Sequence, residues 1–386
     1  MNDIDLDPLG VRGDFRAALT STYLDTPATT PLARQVEEAG AAFLRTQGDG
    51  PISLPAIFQR TSEVRAKFAS LFGASEREVG FMYTTAEAEN VLTGALDLKP
   101  GDNVVVDDLH YTTAYVLYRN LEQTKGIELR VVPSVNGRAG VEEFAPHVDA
   151  KTKLVSVAWV SNVNGYRHDV KALADLAHAN GALLYADAVQ SLGAFPVNLR
   201  DEGVDMVSSG TYKWLLGGFG IAPFFLREEH LDRIRPDRLG AFSVKETRPG
   251  FDYTLHEGGR GFEYATLAFA PLYMLGAGLE LIEQVGLDRI EAHTVPLAWE
   301  MRRAVIDAGF EAITPEGNHS PIVAFKPARD PDAAREVFKR HNVHLTVRTN
   351  ALHGVHIRAG AALFNNSEDL TKLQDALEEL ASLPRV

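Results

Sequence analysis

One lysine stands in a run of small, apolar and aromatic residues that carries no other charge. Lys213 lies within residues 208–220, which read SSGTYKWLLGGFG. Burial disfavours the charged form of a lysine, and the lowered pKa that results suits an amine that forms a Schiff base. The alternative is a side chain that packs on Trp214 while its ammonium reaches water. The segment alone leaves both interpretations open.

A carboxylate closes another apolar run. Asp187 ends residues 182–187, which read ALLYAD, and Gln190 follows three positions later. A carboxylate in such surroundings is costly unless it has a cationic partner, and the protonated pyridine nitrogen of pyridoxal 5'-phosphate (PLP) would be one. The alternative is a helix N-cap, a frequent role of aspartate at a strand-to-helix turn.

Two hydroxyls and an imidazole follow two further apolar runs. Thr84 and Thr85 open a predicted helix, and Ala86 comes next. Hydroxyls and free backbone N–H groups at a helix N-terminus can bind phosphate, although they also serve as plain caps. His110 closes the loop after residues 103–107. Its ring could lie flat on an aromatic cofactor or belong to the surface.

These residues follow predicted strands that alternate with helices. The strands are 79–83, 103–107, 128–133, 154–160, 182–187, 204–208 and 221–226, and the helices include 87–96, 112–124, 141–148 and 170–180. Apolar strands that alternate with helices predict an α/β fold with a mostly parallel sheet covered on both faces. In such folds ligands bind beyond the carboxyl ends of the strands, where the residues above would lie.

The pattern changes near residue 287. A long helix (288–308), short strands near 322–325 and 343–347, and a final helix (367–382) predict a smaller α+β domain, whereas 241–260 reads as a surface loop. We therefore predict three regions: an N-terminal segment (1–30) that contributes to the active site and the small domain, a large cofactor domain (31–286) and a small C-terminal domain (287–386).

Composition and charge exclude several classes of function. The chain has 386 residues and no cysteine, so it has no disulfide, thiolate metal site or cysteine nucleophile. A formal net charge of −14 argues against nucleic acid as a partner. The N-terminus is acidic, unlike a secretory signal, and the longest uncharged stretch (265–279) is too short to span a membrane. We expect a cytoplasmic protein without a membrane partner.

The order of these segments resembles the class V aminotransferase family of fold-type I PLP enzymes. That family includes the cysteine desulfurases, selenocysteine lyases, isopenicillin N epimerase and kynureninase. The resemblance runs from Tyr23 to the C-terminal helix and is carried by segments 23–31 (YLDTPATTP), 84–90 (TTAEAEN), 160–165 (VSNVNG), 186–191 (ADAVQS) and 208–220. It implies a large domain with a mostly parallel seven-stranded sheet between helices, and a smaller α+β C-terminal domain.

The resemblance also implies roles for individual residues. Lys213 would form the Schiff base with PLP and move protons at the substrate α-carbon, while Asp187 would keep the ring nitrogen protonated. Arg358, within residues 357–360 (IRAG), would clamp the substrate carboxylate. The remaining cofactor-binding residues would be Thr84, Thr85 and Ala86 at the phosphate turn, His110 on the ring face, Asn162 and Gln190 near the phenolic oxygen, Ser209 and Tyr212 at the phosphate, and Thr266, which would reach the cofactor phosphate of the partner in a homodimer.

The sequence departs from the family at two positions. Ala86 lies where many relatives carry a second threonine. Segment 347–353 (VRTNALH) resembles the loop in which the desulfurases place a mobile catalytic cysteine, at a position that aligns with His353. Because the chain has no cysteine, we expect no persulfide-forming desulfuration. His353 and His356 lack a third ligand nearby, so we predict no metal site.

The expected function is that of a PLP-dependent enzyme that acts on the α-carbon of an amino acid and is similar to isopenicillin N epimerase. Transamination and a cysteine-independent C–S lyase reaction by β-elimination are the open alternatives. A non-catalytic descendant that only binds a ligand is an alternative of another class, but the intact Lys213, Asp187, Asn162 and Arg358 argue against it. The motifs do not identify the amino acid.

Overall fold

The computed structural model describes residues 6–250, 252–350 and 352–385. The helices are α1 (Arg16–Thr20), α2 (Arg34–Asp49), α3 (Leu54–Leu71), α4 (Thr85–Gly94), α5 (Thr112–Lys125), α6 (Val141–Phe144), α7 (Val170–Ala179), α8 (Phe269–Val285), α9 (Leu287–Asp307), α10 (Pro331–Arg340) and α11 (Ser367–Ser382). The strands are β1 (Thr22–Tyr23), β2 (Val79–Met82), β3 (Asn103–Asp107), β4 (Glu128–Val132), β5 (Thr152–Ala158), β6 (Leu183–Asp187), β7 (Met206–Ser208), β8 (Ala222–Leu226), β9 (Val244–Arg248), β10 (Asp252–Leu255), β11 (Glu311–Ala312), β12 (Ile322–Lys326), β13 (Val343–His344), β14 (Thr346–Asn350) and β15 (Gly354–Gly360).

A seven-stranded sheet organises the larger part of the molecule. Its strand order is β2-β8-β7-β6-β5-β3-β4, and β4, β3, β5, β6 and β7 run parallel to their neighbours in that series. Only β8 runs the other way, antiparallel to both β7 and β2. The mostly parallel sheet is therefore confirmed, and all seven predicted strands belong to it.

Helix α7 shows how the local sequence builds the layers. Its buried residues, Val170, Leu173, Ala174 and Ala177, recur at the spacing of one helical face. The Asp169 side chain caps the helix by accepting a hydrogen bond from the Ala172 N–H over 3.0 Å. The apolar face thus packs on the sheet while the capped end starts the helix at the predicted position.

A four-stranded antiparallel sheet, ordered β11-β12-β15-β14, forms the core of the C-terminal part together with α9, α10 and α11. The predicted strand at 343–347 is divided in two: β13 pairs in parallel with β1, and β14 pairs with β15. The N-terminal segment contributes to both cores, since Phe15 packs in the large cluster and Leu24 in the small one. The boundaries at 31 and 287 remain a prediction.

The interpretation of 241–260 as a loop was wrong. Strands β9 and β10 form an antiparallel hairpin there, with a turn that contains Gly250 at a φ of 83°. Most of its side chains are exposed, so no apolar alternation marks the strands in the sequence.

The uncharged stretch 265–279 contributes most of its length to α8, whose residues Leu272, Leu275, Leu279 and Ile282 are buried in the large core. In the described ranges, none of the helices combines the length and the apolar character that crossing a bilayer requires.

Candidate active site

The predicted site residues meet at one edge of the seven-stranded sheet. Because β3, β5, β6 and β7 are parallel, their carboxyl ends lie side by side, and β2 ends at the same edge since it is antiparallel to β8. His110, Asn162, Asp187 and Lys213 follow four of these strand ends, and α4 begins after the fifth. The fold therefore brings together residues that are distant in the sequence.

Lys213 lies in a buried turn after β7. The residue is 8% exposed, so little of the lysine side chain reaches solvent. Leu216 adopts a left-handed φ of 59° in this turn, and Gly193 passes so close that a Cβ atom would lie 2.2 Å from the Trp214 carbonyl oxygen. The turn is thus held by its neighbours in a conformation that most residues avoid.

The electrostatic environment makes Lys213 a base at neutral pH. Burial and the charges of Arg358 and Arg348 together lower the pKa of Lys213 to about 7, against the opposing effect of Asp187 and Asp25. In the described chain, Nζ forms no hydrogen bond or ion pair. An amine with these properties can exist uncharged and accept a proton under physiological conditions.

Asp187 is the last residue of β6 and is buried. Its Oδ1 accepts a hydrogen bond from the Val189 N–H over 3.0 Å, so the carboxylate does cap the following turn. Within the described residues, Oδ2 accepts no hydrogen bond. Desolvation raises the pKa of Asp187, while Val189 and the charge of Lys213 lower it. A carboxylate buried with one free oxygen can still take a cationic partner.

Hydroxyls and backbone donors gather at the N-terminus of α4. Thr84 is the cap residue, and its hydroxyl accepts a hydrogen bond from the Glu87 N–H over 3.0 Å. Gly210 lies so close to this turn that a Cβ atom would lie 3.3 Å from Thr85 Oγ1 and 2.9 Å from the Tyr212 ring. The absence of a side chain at Gly210 therefore lets the lysine turn approach the start of α4, whose free N–H donors can bind an anion.

Ser209 and Thr266, two further residues predicted to bind phosphate, form hydrogen bonds within this chain. The hydroxyl of Ser209 donates within its own turn, to the Gly210 carbonyl over 3.2 Å. The Thr266 carbonyl accepts a hydrogen bond from the Tyr83 hydroxyl of the same chain, beside the start of α4. Ala86, the third residue of the predicted phosphate turn, follows in the first turn of α4 and offers no hydroxyl.

His110 is buried and its tautomer is fixed by its neighbours. The Tyr111 N–H donates to Nδ1 over 2.7 Å, so Nε2 carries the proton and donates to Ser156 Oγ over 3.0 Å. Ser156 in turn contacts Glu89 Oε1, which also accepts from the Tyr118 hydroxyl over 2.9 Å. Burial lowers the pKa of His110 to about 4 and leaves the ring neutral.

Arg358 and Asn162 join the C-terminal sheet to the loop after β5. Arg358 is fully buried, and its Nη1 donates to the Asn162 carbonyl over 2.8 Å. Its Nε and Nη2, and Oδ1 of Asn162, lack hydrogen-bond partners in the described part of the chain. Burial and the charge of Arg348 lower the pKa of Arg358 to about 9, which still leaves it charged at neutral pH. Buried donors without partners indicate a position that a ligand would complete.

The side-chain amide of Gln190 already forms two hydrogen bonds within the protein. Its amide oxygen accepts from Trp214 Nε1 over 2.7 Å, and its amide nitrogen donates to the Pro27 carbonyl over 2.8 Å. One amide hydrogen remains for a ligand. Gln190 therefore also ties the N-terminal segment to the lysine turn.

Sequence analysis missed several polar residues of this region. Asp25, Arg348, His356 and Glu89 lie in or beside the site. Asp25, Glu89 and Arg348 fall in segments that resemble the family, but the resemblance gave none of them a role. A cavity of about 270 Å³ is lined by Asn162, Arg348 and His356 among others. A larger cavity of about 550 Å³ is lined by Asn164, Arg302 and His353 among others and not by Lys213, so its size alone does not identify it as the active site.

The residues present fit PLP. The hydroxyls and N–H donors at the start of α4 suit a phosphate, the free oxygen of buried Asp187 suits a protonated ring nitrogen, and Lys213 supplies the amine. His110, whose ring is neutral, follows β3 at the same edge of the sheet. Arg358 would remain available to a substrate carboxylate.

Comparison with known proteins agrees with the family that the sequence motifs indicate. The model of the family described as Aminotransferase class-V matches residues 22–373. A probable cysteine desulfurase of Methanothermobacter thermautotrophicus is 30% identical, covering 97% of this chain and 98% of that protein. The uncharacterized aminotransferase YcbU of Bacillus subtilis is 28% identical and covers 95% of this chain and 96% of that protein.

Solved structures confirm the fold-type I architecture. The apo structure of a cysteine desulfurase from Thermococcus onnurineus NA1 matches with a TM-score of 0.89 at 25% identity, covering 99% of both chains. The cystine C–S lyase C-DES, in complex with its product cysteine persulfide, matches with a TM-score of 0.86 at 21% identity over 96% of this chain and 99% of that chain. The second similarity shows the fold alone.

Proposed function

The chain belongs to the class-V aminotransferase family of PLP-dependent enzymes, and from this we propose that it acts on the α-carbon of an amino acid without a protein thiol. One observation carries the proposal: Lys213 is a buried amine whose pKa is lowered to about 7, in a chain that has no cysteine. We favour removal and return of the α-proton, an isopenicillin N epimerase-like reaction.

When bound, PLP supplies a carbonyl that condenses with amines and a ring that draws electrons from the α-carbon. Lys213 would hold the cofactor and then take the α-proton, a task for which a pKa near neutrality is suited. Arg358 would orient the substrate through its unpartnered Nε and Nη2. Asp187 would stabilise positive charge at the ring nitrogen, and His110 would cover one ring face.

A β-elimination lyase is the second candidate, and His353 is the observation that favours it. The position that aligns with the desulfurase cysteine holds this histidine, whose Nε2 lies 2.7 Å from the Asp108 carbonyl oxygen. A leaving group that departs without a thiol acceptor would need no cysteine. We also propose a homodimer in which Thr266 contacts the cofactor phosphate of the partner.

The cofactor link is tested by borohydride reduction of the purified holoprotein. We expect a yellow protein that reduction bleaches, with the added mass on the peptide that contains Lys213. Lys213→Ala should lose this adduct, whereas Lys171→Ala, which removes an exposed lysine from α7, should keep it. A wild-type protein that stays colourless after PLP is added would contradict the assignment.

The reaction is tested with a panel of amino acids in D₂O. Deuterium at the α-carbon with loss of optical rotation indicates epimerisation, a keto acid indicates transamination, and pyruvate with ammonia indicates elimination. Alanine and sulfane sulfur formed from cysteine would contradict the proposal of a thiol-independent enzyme. Size-exclusion chromatography with light scattering tests the dimer.

A further inference from the structure

The hairpin of β14 and β15 gathers four polar side chains on one face. Its antiparallel register places Thr346 opposite Arg358 and Arg348 opposite His356. Side chains two positions apart on a strand, and directly opposite across a pair, share a face of the sheet. Thr346 donates a hydrogen bond to Asp25, and burial together with the charge of Arg358 lowers the pKa of Lys213, so this face looks onto the proposed active site.

Arg348 is an arginine without a counter-ion in this setting. Its guanidinium is half-buried, and among the described residues it has no hydrogen bond and no ion pair. It lines the cavity of about 270 Å³ together with Asn162 and His356. A half-buried cation that forms no ion pair with the described protein indicates a position for an anionic ligand.

His356 offers a second unoccupied contact in the same cavity. The residue is 1% exposed, and its Nε2 has no hydrogen-bond partner in the described chain. Its Nδ1 lies 3.4 Å from the Gly354 carbonyl oxygen, which is a long contact. The ring can therefore present Nε2 to a ligand.

None of the acidic residues in the described ranges forms an ion pair with Arg348. Asp25 lies in the same region, but its Oδ1 accepts the hydrogen bond of Thr346, and in the described ranges it forms no ion pair within 4.0 Å of either arginine. Desolvation raises the pKa of Asp25, against the hydrogen bond of Thr346 and the charges of Arg358, Arg348 and Lys213. The charge of Asp25 is thus shared among three cations, and Asp187 acts on Lys213 as well.

We infer that the cavity beside Arg348 and His356 binds the side-chain carboxylate of a dicarboxylic amino acid. The inference rests on the proposed function, because Arg358 is then occupied by the α-carboxylate. The planar fork of Arg348 would form two charge-assisted hydrogen bonds with the second carboxylate. His356 would donate a third from the tautomer that carries its proton on Nε2, giving up the long contact of Nδ1 with the Gly354 carbonyl. Aspartate and glutamate are the simplest substrates of this class.

The test is a titration of the holoenzyme that follows the absorbance of its bound cofactor. We compare L-aspartate and L-glutamate with L-asparagine, L-glutamine and L-alanine. The acids should bind at least about tenfold more tightly than their amides, as expected for a charge-assisted pair. In Arg348→Gln this ratio should fall to about one, while alanine binds within about twofold of wild type.

Three further variants separate recognition from structure. Arg303→Gln removes the same charge from the exposed face of α9 and should keep the wild-type ratio. Arg348→Lys should keep part of the preference, and His356→Asn should reduce it. If Arg348→Gln does not retain cofactor, the ratio of acid to amide affinity in these two variants tests the inference instead.

Two results would overturn the inference while the proposed function stands. One is a wild-type protein that binds acids and amides equally. The other is an Arg348→Gln variant whose affinity for alanine falls as much as its affinity for aspartate. That result would mean that Arg348 binds the α-carboxylate. If no amino acid changes the spectrum of a holoenzyme that borohydride reduces, the proposed function fails, and this inference fails with it.

Discussion

Arg358 donates a hydrogen bond to the main-chain carbonyl of Asn162 over 2.8 Å, across the boundary between the C-terminal sheet and the loop after β5. Arg358 occupies β15, whereas Asn162 follows a strand of the large sheet. The Nε and Nη2 atoms of Arg358 have no hydrogen-bond partner in the described residues. The same guanidinium therefore ties the two parts together and remains available to a ligand.

Arg358→Lys should separate these two roles. The ammonium can keep one hydrogen bond to Asn162, but it cannot present two parallel donors to a carboxylate. We expect the Kd for amino acids, read from the cofactor spectrum, to rise about tenfold or more. Cofactor content should stay near that of wild type. Unchanged amino-acid affinity would remove Arg358 from the proposed carboxylate site.

Lys213 should destabilise the protein when no cofactor is bound. Burial lowers the pKa of Lys213 to about 7, below the 10.5 expected when unfolded, so folding must bury a charged ammonium at acidic pH. Lys213→Met should therefore raise the Tm of the cofactor-free protein by a few degrees. The gain should be largest below pH 7 and should shrink as the pH rises towards 10. A gain that is independent of pH would contradict the shifted pKa.

Glu89 should behave as a neutral acid at pH 7. Burial raises its pKa to about 8, and the charge of Asp187 adds to the shift. The folded state then keeps a proton that the unfolded state loses above pH 4.5, so wild-type stability should fall between about pH 5 and pH 8. Glu89→Gln cannot ionise, and its Tm should exceed that of wild type by an amount that grows across this interval.

Glu89→Ala provides the contrast. It removes the acceptor of the Tyr118 and Ser156 hydroxyls and should lower the Tm at every pH. If the Gln and Ala variants behave alike, Glu89 is not a buried neutral acid.

Asp205 should stabilise the amino end of β7, opposite the end at which the proposed site lies. Its carboxylate accepts hydrogen bonds from His230 over 2.6 Å, His178 over 2.8 Å and the Leu184 N–H over 2.7 Å. Burial raises the pKa of Asp205, but these contacts outweigh it and lower the pKa below 3.8. The stabilisation is present above pH 3.8 and is lost as the pH falls through the lowered pKa.

Urea unfolding of Asp205→Asn checks this prediction. We expect a loss of about 3 kcal/mol at pH 7, as for a broken buried pair, and a smaller difference from wild type below pH 4. The cofactor spectrum should not change, because Asp205 precedes β7 whereas the proposed site follows it. A pH-independent difference would show that packing, not charge, accounts for the loss.

The strands and the residues at their ends could be predicted because both signals are local. β3 is wholly buried and reads NVVVD, so its apolar run marks it directly. Asp187 and Lys213 lie within short segments whose residue types are unusual for their surroundings. In a parallel sheet these local signals also fix the spatial arrangement, since every strand end lies at the same edge.

The residues that were missed depend on long-range structure. Arg348 faces the site because β14 pairs with β15 in one register, and a shift of one residue would turn it to the other face. Glu89 lies on an ordinary helical face, and only the approach of Tyr118 and Ser156 makes it a buried acceptor. The β9–β10 hairpin carries mostly exposed side chains, and Pro249-Gly250 was the only local indication of its turn.

Apart from Thr266, the cofactor-binding residues proposed here lie at or after the ends of five strands, which come together only when the seven-stranded sheet is complete. A ligand that binds such a site recognises the assembled sheet and not any single segment. Because the ligand binds the folded state alone, the free energy of unfolding increases as the ligand concentration rises. The lifetime of this protein against proteases should consequently follow the supply of the vitamin from which the cofactor is made.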